Sequence, residues 1–148
     1  MIGKLAPNFI LKDQFGKEFE LYKNLDRNLL LVFYPKDDSM VCSKQLADYN
    51  RNLDLFKMND LNVAGINIES SSSHESFCSK IGLNFPILSD SKKQVSKDYD
   101  ALTLWGVNKR KLLMINSSKN VVFEKSVFNF HYPSVEEILN LAKQFVIA

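Results

Sequence analysis

The apolar residues of the chain change their spacing at one point, close to residue 35. Residues 29–34 form an unbroken apolar run of strand length, which predicts a central strand covered on both faces. From Ser39 onward the apolar positions recur every three or four residues, which predicts one amphipathic helix that extends to about residue 60. A buried strand should therefore turn directly into a helix at residues 35–42.

The rest of the chain continues as an alternation of short strands and helices. The predicted elements are a hairpin over residues 9–21, a strand over 62–68, a helix from Ser72 to about Gly82, an extended segment over 85–88, a helix from Ser91 to Tyr99, a strand pair over 112–115 and 121–123, and a helix from about Ser134 to about Val146. Ser72 with Glu75, and Ser134 with Glu137, have the form of helix capping pairs. This order predicts an α/β fold with a central mixed sheet, helices on both faces and an N-terminal hairpin.

Composition and charge narrow the classes of protein to consider. The 148 residues fit a single domain over residues 1–148, and 45% apolar with 24% charged residues is ordinary for a globular protein. The 19 basic and 17 acidic residues are spread along the chain, so we expect neither nucleic acid nor a membrane as a partner. No apolar run approaches the ~20 residues that span a bilayer, and residues 1–7 lack the apolar core of a signal peptide. We therefore expect a cytoplasmic protein.

Two cysteines in such a protein favour a catalytic or metal-binding role over a structural disulfide. Cys42 and Cys78 belong to no CxxC pair, and His74 and His131 are the only histidines of the sequence, so we expect no metal site. Both histidines are expected at the surface.

Cys42 lies where the buried strand is predicted to turn into a helix. Unpaired N–H groups and the positive end of the helix dipole favour a negatively charged sulfur at that position. A free cysteine has a pKa of about 8.5 and is mostly protonated at neutral pH, so a nucleophilic cysteine needs such help. The alternative is a buried and inert thiol, which is the commoner fate of cysteine.

Pro35, Ser39 and Cys42 form a Pro-x-x-x-Ser-x-x-Cys pattern that resembles the active-site signature of the peroxiredoxins. The Lys-Asp-Asp sequence at residues 36–38 narrows the resemblance to the bacterioferritin-comigratory-protein (PrxQ) branch. Three further segments match that branch in the same order, namely residues 3–9 (GKLAPNF), 72–77 (SSHESF) and 85–90 (FPILSD). The resemblance implies a thioredoxin-like fold and a cysteine that reduces hydrogen peroxide or organic hydroperoxides without a metal or organic cofactor.

The resemblance also implies roles for the residues around Cys42. Cys42 would attack a peroxide oxygen and become a sulfenic acid. The backbone N–H groups of Val41 and Cys42 would stabilise the oxygen that gains charge. Ser39 would hydrogen-bond to the thiolate or to the peroxide, and it can also cap the helix. Pro35 would shield the thiolate from water, although a strand terminator is an equally good interpretation.

A cation beside the sulfur is also implied, and counting back from the apolar run at residues 112–115 identifies it as Arg110. The alternative is a solvated basic turn at residues 109–111. In place of the Pro-Gly that usually precedes the cysteine in this family, the chain has Met40 and Val41. Gln45 stands where many relatives have glutamate.

The resolving cysteine is implied to be Cys78, because Ala47 occupies the other position that the branch uses. Core packing beside Phe77 is the alternative role. A disulfide needs Cα atoms within about 7 Å, so two cysteines on ordered helices should react only after local unfolding, with residues 70–73 as a hinge. A thioredoxin-like reductant would then reduce the intramolecular disulfide between Cys42 and Cys78.

Two other functions stay open. A general thiol-disulfide oxidoreductase is disfavoured because the third residue after Cys42 is Gln45 and not a second cysteine. The other is a redox-sensing or binding module without turnover. Only the presence of Met40 and Val41 in place of the family's Pro-Gly favours it. The resemblance to the PrxQ branch also implies a monomer. We expect Trp105 and Tyr99 to serve packing.

Overall fold

Seven strands form one mixed sheet in the computed structural model of the protein, which describes residues 1–127 and 131–147, with side chains as far as Phe145. The strands are β1 (Ile10–Lys12), β2 (Glu18–Glu20), β3 (Asn28–Phe33), β4 (Leu61–Asn67), β5 (Ile87–Ser89), β6 (Arg110–Ile115) and β7 (Val121–Val127). Their order across the sheet is β2-β1-β5-β4-β3-β6-β7. β3 runs parallel to β4 and antiparallel to β6, and the β1–β2 hairpin adds antiparallel to β5.

Helices cover both faces of this sheet. They are α1 (Met40–Arg51), α2 (Leu53–Met58), α3 (Ser71–Ile81), α4 (Gln94–Asp98) and α5 (Val135–Ala142), with a 3₁₀ turn at Leu21–Asn24 and a π-helical continuation of α5 at Lys143–Ile147. The predicted α/β fold with a mixed sheet and an N-terminal hairpin is confirmed. Within the described residues, no helix is long and apolar enough to cross a membrane.

β3 is buried along its whole length because its alternate side chains enter two different cores. Leu30 and Val32 pack in a core with residues of α1, α3 and α5. Leu31 and Phe33 pack on the other face with the N-terminal hairpin and α4. The predicted central strand is therefore confirmed, and its carboxyl end is held from both sides.

The single helix predicted after residue 39 is wrong, because the structure divides it into α1 and α2 at Asn52. The Asn52 side chain donates through Nδ2 to the carbonyl oxygen of Asp48 at 2.8 Å, which is the acceptor that the Asn52 main-chain N–H would use in a continuous helix. That N–H donates instead to the carbonyl oxygen of Tyr49 at 3.1 Å. Leu53 and Phe56 stay in phase with α1, so the apolar period alone does not reveal the break.

α3 begins earlier than predicted. Ser70 caps it, with its Oγ accepting a hydrogen bond from the N–H of Ser73 at 3.2 Å, and Ser72 already lies inside the helix. Residues 70–73 are therefore a cap and a first helical turn, not a loop. The end of the helix at Gly82 is confirmed, since Gly82 has a left-handed backbone with φ of 77°.

Two further expectations are corrected near α4. The carboxylate of Asp90, not the side chain of Ser91, accepts hydrogen bonds from the first helical N–H groups, at 3.3 Å from Val95 and 2.6 Å from Ser96. Tyr99 is fully buried as predicted, whereas Trp105 is 90% exposed because it stands in a tight turn closed by Thr103 and Val107. The last helix does begin at Ser134 with its predicted cap.

Candidate active site

Cys42 is the third residue of α1, directly after the turn of residues 35–39 that follows β3. Ser39 is the N-cap of the helix, and its Oγ accepts a hydrogen bond from the backbone N–H of Cys42 at 3.2 Å. The first N–H groups of a helix have no partner inside it, so they point toward the space in front of the helix. The N–H of Cys42 points at Ser39 Oγ, and a substrate oxygen bound in front of the helix would share this donor.

Arg110 begins β6, which runs antiparallel to β3. The start of β6 therefore lies beside the end of β3, next to the turn of residues 35–39 that leads to Cys42. Its side chain is 1% exposed and donates through Nη2 to Cys42 Sγ at 3.2 Å. The structure thus brings the predicted cation and the predicted nucleophile together. Arg110 and Lys111 are both buried, which excludes a solvated basic turn at this point.

Gln45 was not among the predicted site residues, yet it holds the guanidinium. It is fully buried and its Oε1 accepts a short hydrogen bond from Arg110 Nη1. Its Nε2 donates to Tyr49 Oη at 3.3 Å, and Tyr49 donates to the carbonyl oxygen of Pro133 at 2.7 Å. The signal in the sequence is its spacing, since a residue three positions after Cys42 shares a helix face with it.

An opening of about 330 Å³ leads to the sulfur. Its lining residues are Pro35, Lys36, Ser39, Met40, Val41, Cys42 and Arg110. Cys42 and the four residues predicted to surround its sulfur, Pro35, Ser39, Val41 and Arg110, therefore line one space. Cys42 itself is only 1% exposed, while Met40 at the rim is 88% exposed. Such a space admits a small molecule to the sulfur and leaves the rim to contact larger substituents.

Cys78 lies in α3 and is 5% exposed. Burial, followed by the negative charges of Asp37 and Asp13, raises the pKa of its thiol to about 12. Cys42 and Cys78 are both free thiols that pack in the same core, where Phe77 is also buried. In this structure Cys78 therefore has the packed surroundings that its alternative role, core packing, predicts. Its raised pKa keeps the thiol neutral.

Asp37 is 2% exposed and collects donors from several elements. Its carboxylate accepts from Tyr34 Oη at 2.6 Å, from Ser73 Oγ and His74 Nδ1 at 2.7 Å each, and from Asn67 Nδ2 at 3.4 Å. We call these five residues the Asp37 cluster. Burial opposes the charged carboxylate, but the hydrogen bonds from His74, Tyr34 and Ser73 prevail and lower the pKa of Asp37.

The expectation of a surface position is wrong for His74, which is fully buried in this cluster. Its Nδ1 contacts Asp37 and its Nε2 lies 3.2 Å from the carbonyl oxygen of Leu88. Its polar partners explain the burial, because a buried polar side chain is stable when its groups are hydrogen-bonded. His131 is exposed, as predicted.

Known proteins share both the sequence and the fold. The AhpC/TSA family model matches residues 2–124. Peroxiredoxin Q of Arabidopsis thaliana chloroplasts is 39% identical over 105 residues, which are 71% of this chain and 46% of that protein. A putative peroxiredoxin bcp of Helicobacter pylori is 35% identical over 100 residues, 68% of this chain and 66% of that protein. The chain thus spans about half the length of the plant relatives it matches.

Among solved structures, a mutant of Xylella fastidiosa PrxQ superimposes with a TM-score of 0.88 at 28% identity, covering 97% of this chain and 96% of that one. The reduced 2-Cys peroxiredoxin of Plasmodium vivax superimposes with a TM-score of 0.88 at 26% identity, covering 97% and 94%. The fold is that of the peroxiredoxins, and the sequence match extends through the strand that carries Arg110. The chain belongs to the AhpC/TSA family, as a peroxiredoxin of the PrxQ and bacterioferritin-comigratory-protein branch.

Proposed function

We propose that the protein is a thiol-dependent peroxidase that reduces hydrogen peroxide and organic hydroperoxides. The observation that carries the proposal is the 3.2 Å contact between Arg110 Nη2 and Cys42 Sγ at the capped start of a helix. Two sources of positive potential meet at one sulfur that a small opening reaches. That arrangement favours an anionic sulfur and a small, polar, electrophilic substrate.

In the first step, Cys42 Sγ attacks one peroxide oxygen. An S–O bond forms, the O–O bond breaks, and the leaving oxygen takes a proton and departs as water or an alcohol, which leaves a sulfenic acid on Cys42. Arg110 and the N–H of Val41 stabilise the charge that develops on the oxygens. Ser39 already accepts a hydrogen bond from Cys42, so its own hydroxyl proton is available to the substrate.

In the second step, Cys78 attacks the sulfur of the sulfenic acid, and an intramolecular disulfide forms with loss of water. A dithiol reductant of thioredoxin type then returns both cysteines to thiols by exchange. Burial of both sulfurs supports a cycle in which part of the structure opens after the first step. Cytoplasmic location and a monomeric state are further parts of the proposal.

The test is peroxide-dependent oxidation of NADPH by the purified full chain with thioredoxin and thioredoxin reductase. We expect turnover by the wild type, none by Cys42→Ser, and by Cys78→Ser a single oxidation without recycling through an intramolecular disulfide. NADPH consumption no faster than the reductase background would overturn the peroxidase proposal. Oxidation to a stable disulfide without turnover would instead support the sensing function, and disulfide exchange without peroxide reduction would support the general oxidoreductase.

A further inference from the structure

The Asp37 cluster joins the two segments that carry the cysteines. Asp37 lies in the turn between β3 and α1, five residues before Cys42. Ser73 and His74, which donate to its carboxylate, lie in the first turn of α3, the helix that contains Cys78. One buried carboxylate therefore ties the start of one cysteine helix to the start of the other.

The carboxylate of Asp37 has hydrogen-bond partners at both of its oxygens. Tyr34 and Asn67 lie at Oδ1, and Ser73 and His74 lie at Oδ2. Ser73 Oγ lies equally close, at 2.7 Å, to Glu69 Oε2, so its one proton is shared between two carboxylates. The second ring nitrogen of His74 faces the carbonyl oxygen of Leu88. The cluster is therefore a buried carboxylate whose partners on α3 are Ser73 and His74.

An exposed ion pair spans the same two segments and contributes much less. Lys80 Nζ of α3 lies 3.5 Å from Asp38 Oδ1, with both side chains more than half exposed. Exposed pairs of this kind contribute little to stability, whereas a buried carboxylate that loses its hydrogen-bond partners is strongly destabilising. Glu69, just before α3, adds a further link, because its carboxylate accepts from the N–H of Asp37 at 2.9 Å and from Ser73 Oγ at 2.7 Å. The Asp37 side chain therefore holds α3 to the turn of residues 35–39 more strongly than the Asp38 pair does.

The same carboxylate acts on the chemistry of Cys78. In the closed structure, burial first and the charge of Asp37 second raise the pKa of Cys78 to about 12. Movement of α3 away from Asp37 removes both effects at once. The thiol then approaches its ordinary pKa, so the fraction present as the reactive thiolate rises.

We propose that Asp37 is a positioning residue that holds α3 closed, and that release of Ser73 and His74 from its carboxylate is the step that frees Cys78 to reach Cys42. This inference rests on the proposed peroxidase function. In the reaction that follows release, the hydroxyl of the Cys42 sulfenic acid and the thiol proton of Cys78 leave together as water. The two sulfurs form the disulfide, and no further oxidant is needed.

The test is a single-turnover experiment with the full chain, reduced and mixed with one equivalent of hydrogen peroxide. Samples are quenched with a thiol-alkylating reagent, and the sulfenic acid and the disulfide are followed separately by mass spectrometry. Asp37→Asn keeps the size of the side chain but presents an amide donor to the donors of α3. We expect its first-order rate of disulfide formation to rise roughly tenfold or more.

Asp38→Asn is the matched control, because it removes the exposed pair between the same two segments. It should form the disulfide at the wild-type rate. A rate in Asp37→Asn equal to or below that of the wild type would overturn the inference, as would an equal acceleration by Asp38→Asn. Absence of Cys42 oxidation in the wild type would instead overturn the proposed function, since that step is measured by itself.

Amide hydrogen exchange of the reduced wild type tests the same inference without a variant. Residues 36–41 and α3 should open together, with one common protection that is below that of β3 and β6. Protection of α3 equal to that of β3 would contradict it. If Asp37→Asn does not fold, His74→Gln removes the Nδ1 contact with the carboxylate from the α3 side and should accelerate disulfide formation in the same way.

Discussion

Cys42 and Cys78 pack in the same core, but their sulfurs meet opposite charges. Cys42 lies in the first turn of α1, where Arg110 donates to its sulfur at 3.2 Å. Cys78 lies in the second half of α3, where burial and the negative charges of Asp37 and Asp13 raise its pKa to about 12. The contrast assigns the order of events, because the Cys42 sulfur faces a charged donor and an opening in the closed structure, whereas Cys78 has to move first.

The largest expected effect comes from removing the cation on the Cys42 side. Arg110→Gln should lower the second-order rate of Cys42 oxidation by hydrogen peroxide by roughly 10²-fold, because it removes a preorganised charged donor next to the reacting sulfur. Disulfide formation after oxidation should change far less, since it depends on α3. Rapid-quench mass spectrometry measures both rates.

Arg27→Gln is the matched control for this substitution. Arg27 is 42% exposed and its nearest carboxylate, that of Asp60, is 4.0 Å away. This variant should oxidise at the wild-type rate. If Arg110→Gln oxidises as fast as Arg27→Gln, the charge contrast between the two cysteines has no catalytic consequence.

The next effect concerns pH and the Cys78 side. The pKa of Cys78 is raised from 9.0 to about 12 in the closed structure, so closure is favoured by the thiol form fully below pH 9.0 and progressively less as the pH rises toward about 12. The facing groups are Asp37, Asp13 and Tyr34, and the pKa of Tyr34 is itself raised well above its ordinary value by burial and by Asp37. Disulfide formation should therefore accelerate with pH, by up to roughly tenfold per pH unit.

The shape of that profile separates a held thiol from an exposed one. A resolving thiol that is exposed from the start reaches its full reactivity near pH 9.0 and then levels off. A thiol that must first leave the closed structure gains further above that pH, because ionisation then favours the open state. Single-turnover rates measured on both sides of pH 9.0 decide the matter, and a plateau at that value would contradict the closed environment of Cys78.

The Cys42 side was largely accessible from the sequence. The unbroken apolar run of β3 and the change of period after it are local patterns, and the resemblance to the peroxiredoxins implied Arg110 just before residues 112–115. The structure brings these residues together. Gln45 was missed although its spacing was visible, because its partner Arg110 lies 65 residues away along the chain.

The Cys78 side was less accessible, because its organisation depends on contacts between distant residues. Asp37 and His74 are 37 residues apart, and neither has a local pattern that predicts their buried contact. The four serines at residues 70–73 looked like a loop because serine competes with helical hydrogen bonding, yet Ser70 caps the helix and Ser73 turns inward to Asp37. Helix breaks such as Asn52 are hidden for a similar reason, since the apolar period continues through them.

The smallest expected effect concerns Gln45, which orients Arg110 beside Cys42. Gln45→Leu removes the acceptor that orients Arg110 and leaves the guanidinium in place. A hydrogen bond to a charged group contributes about 1.5 kcal/mol, so the rate of Cys42 oxidation should fall by up to roughly tenfold while disulfide formation is unchanged. Gln45→Glu keeps the acceptor and should restore the rate. If both variants lower oxidation equally, Gln45 acts by packing alone, and the orientation of Arg110 is set by its other contacts.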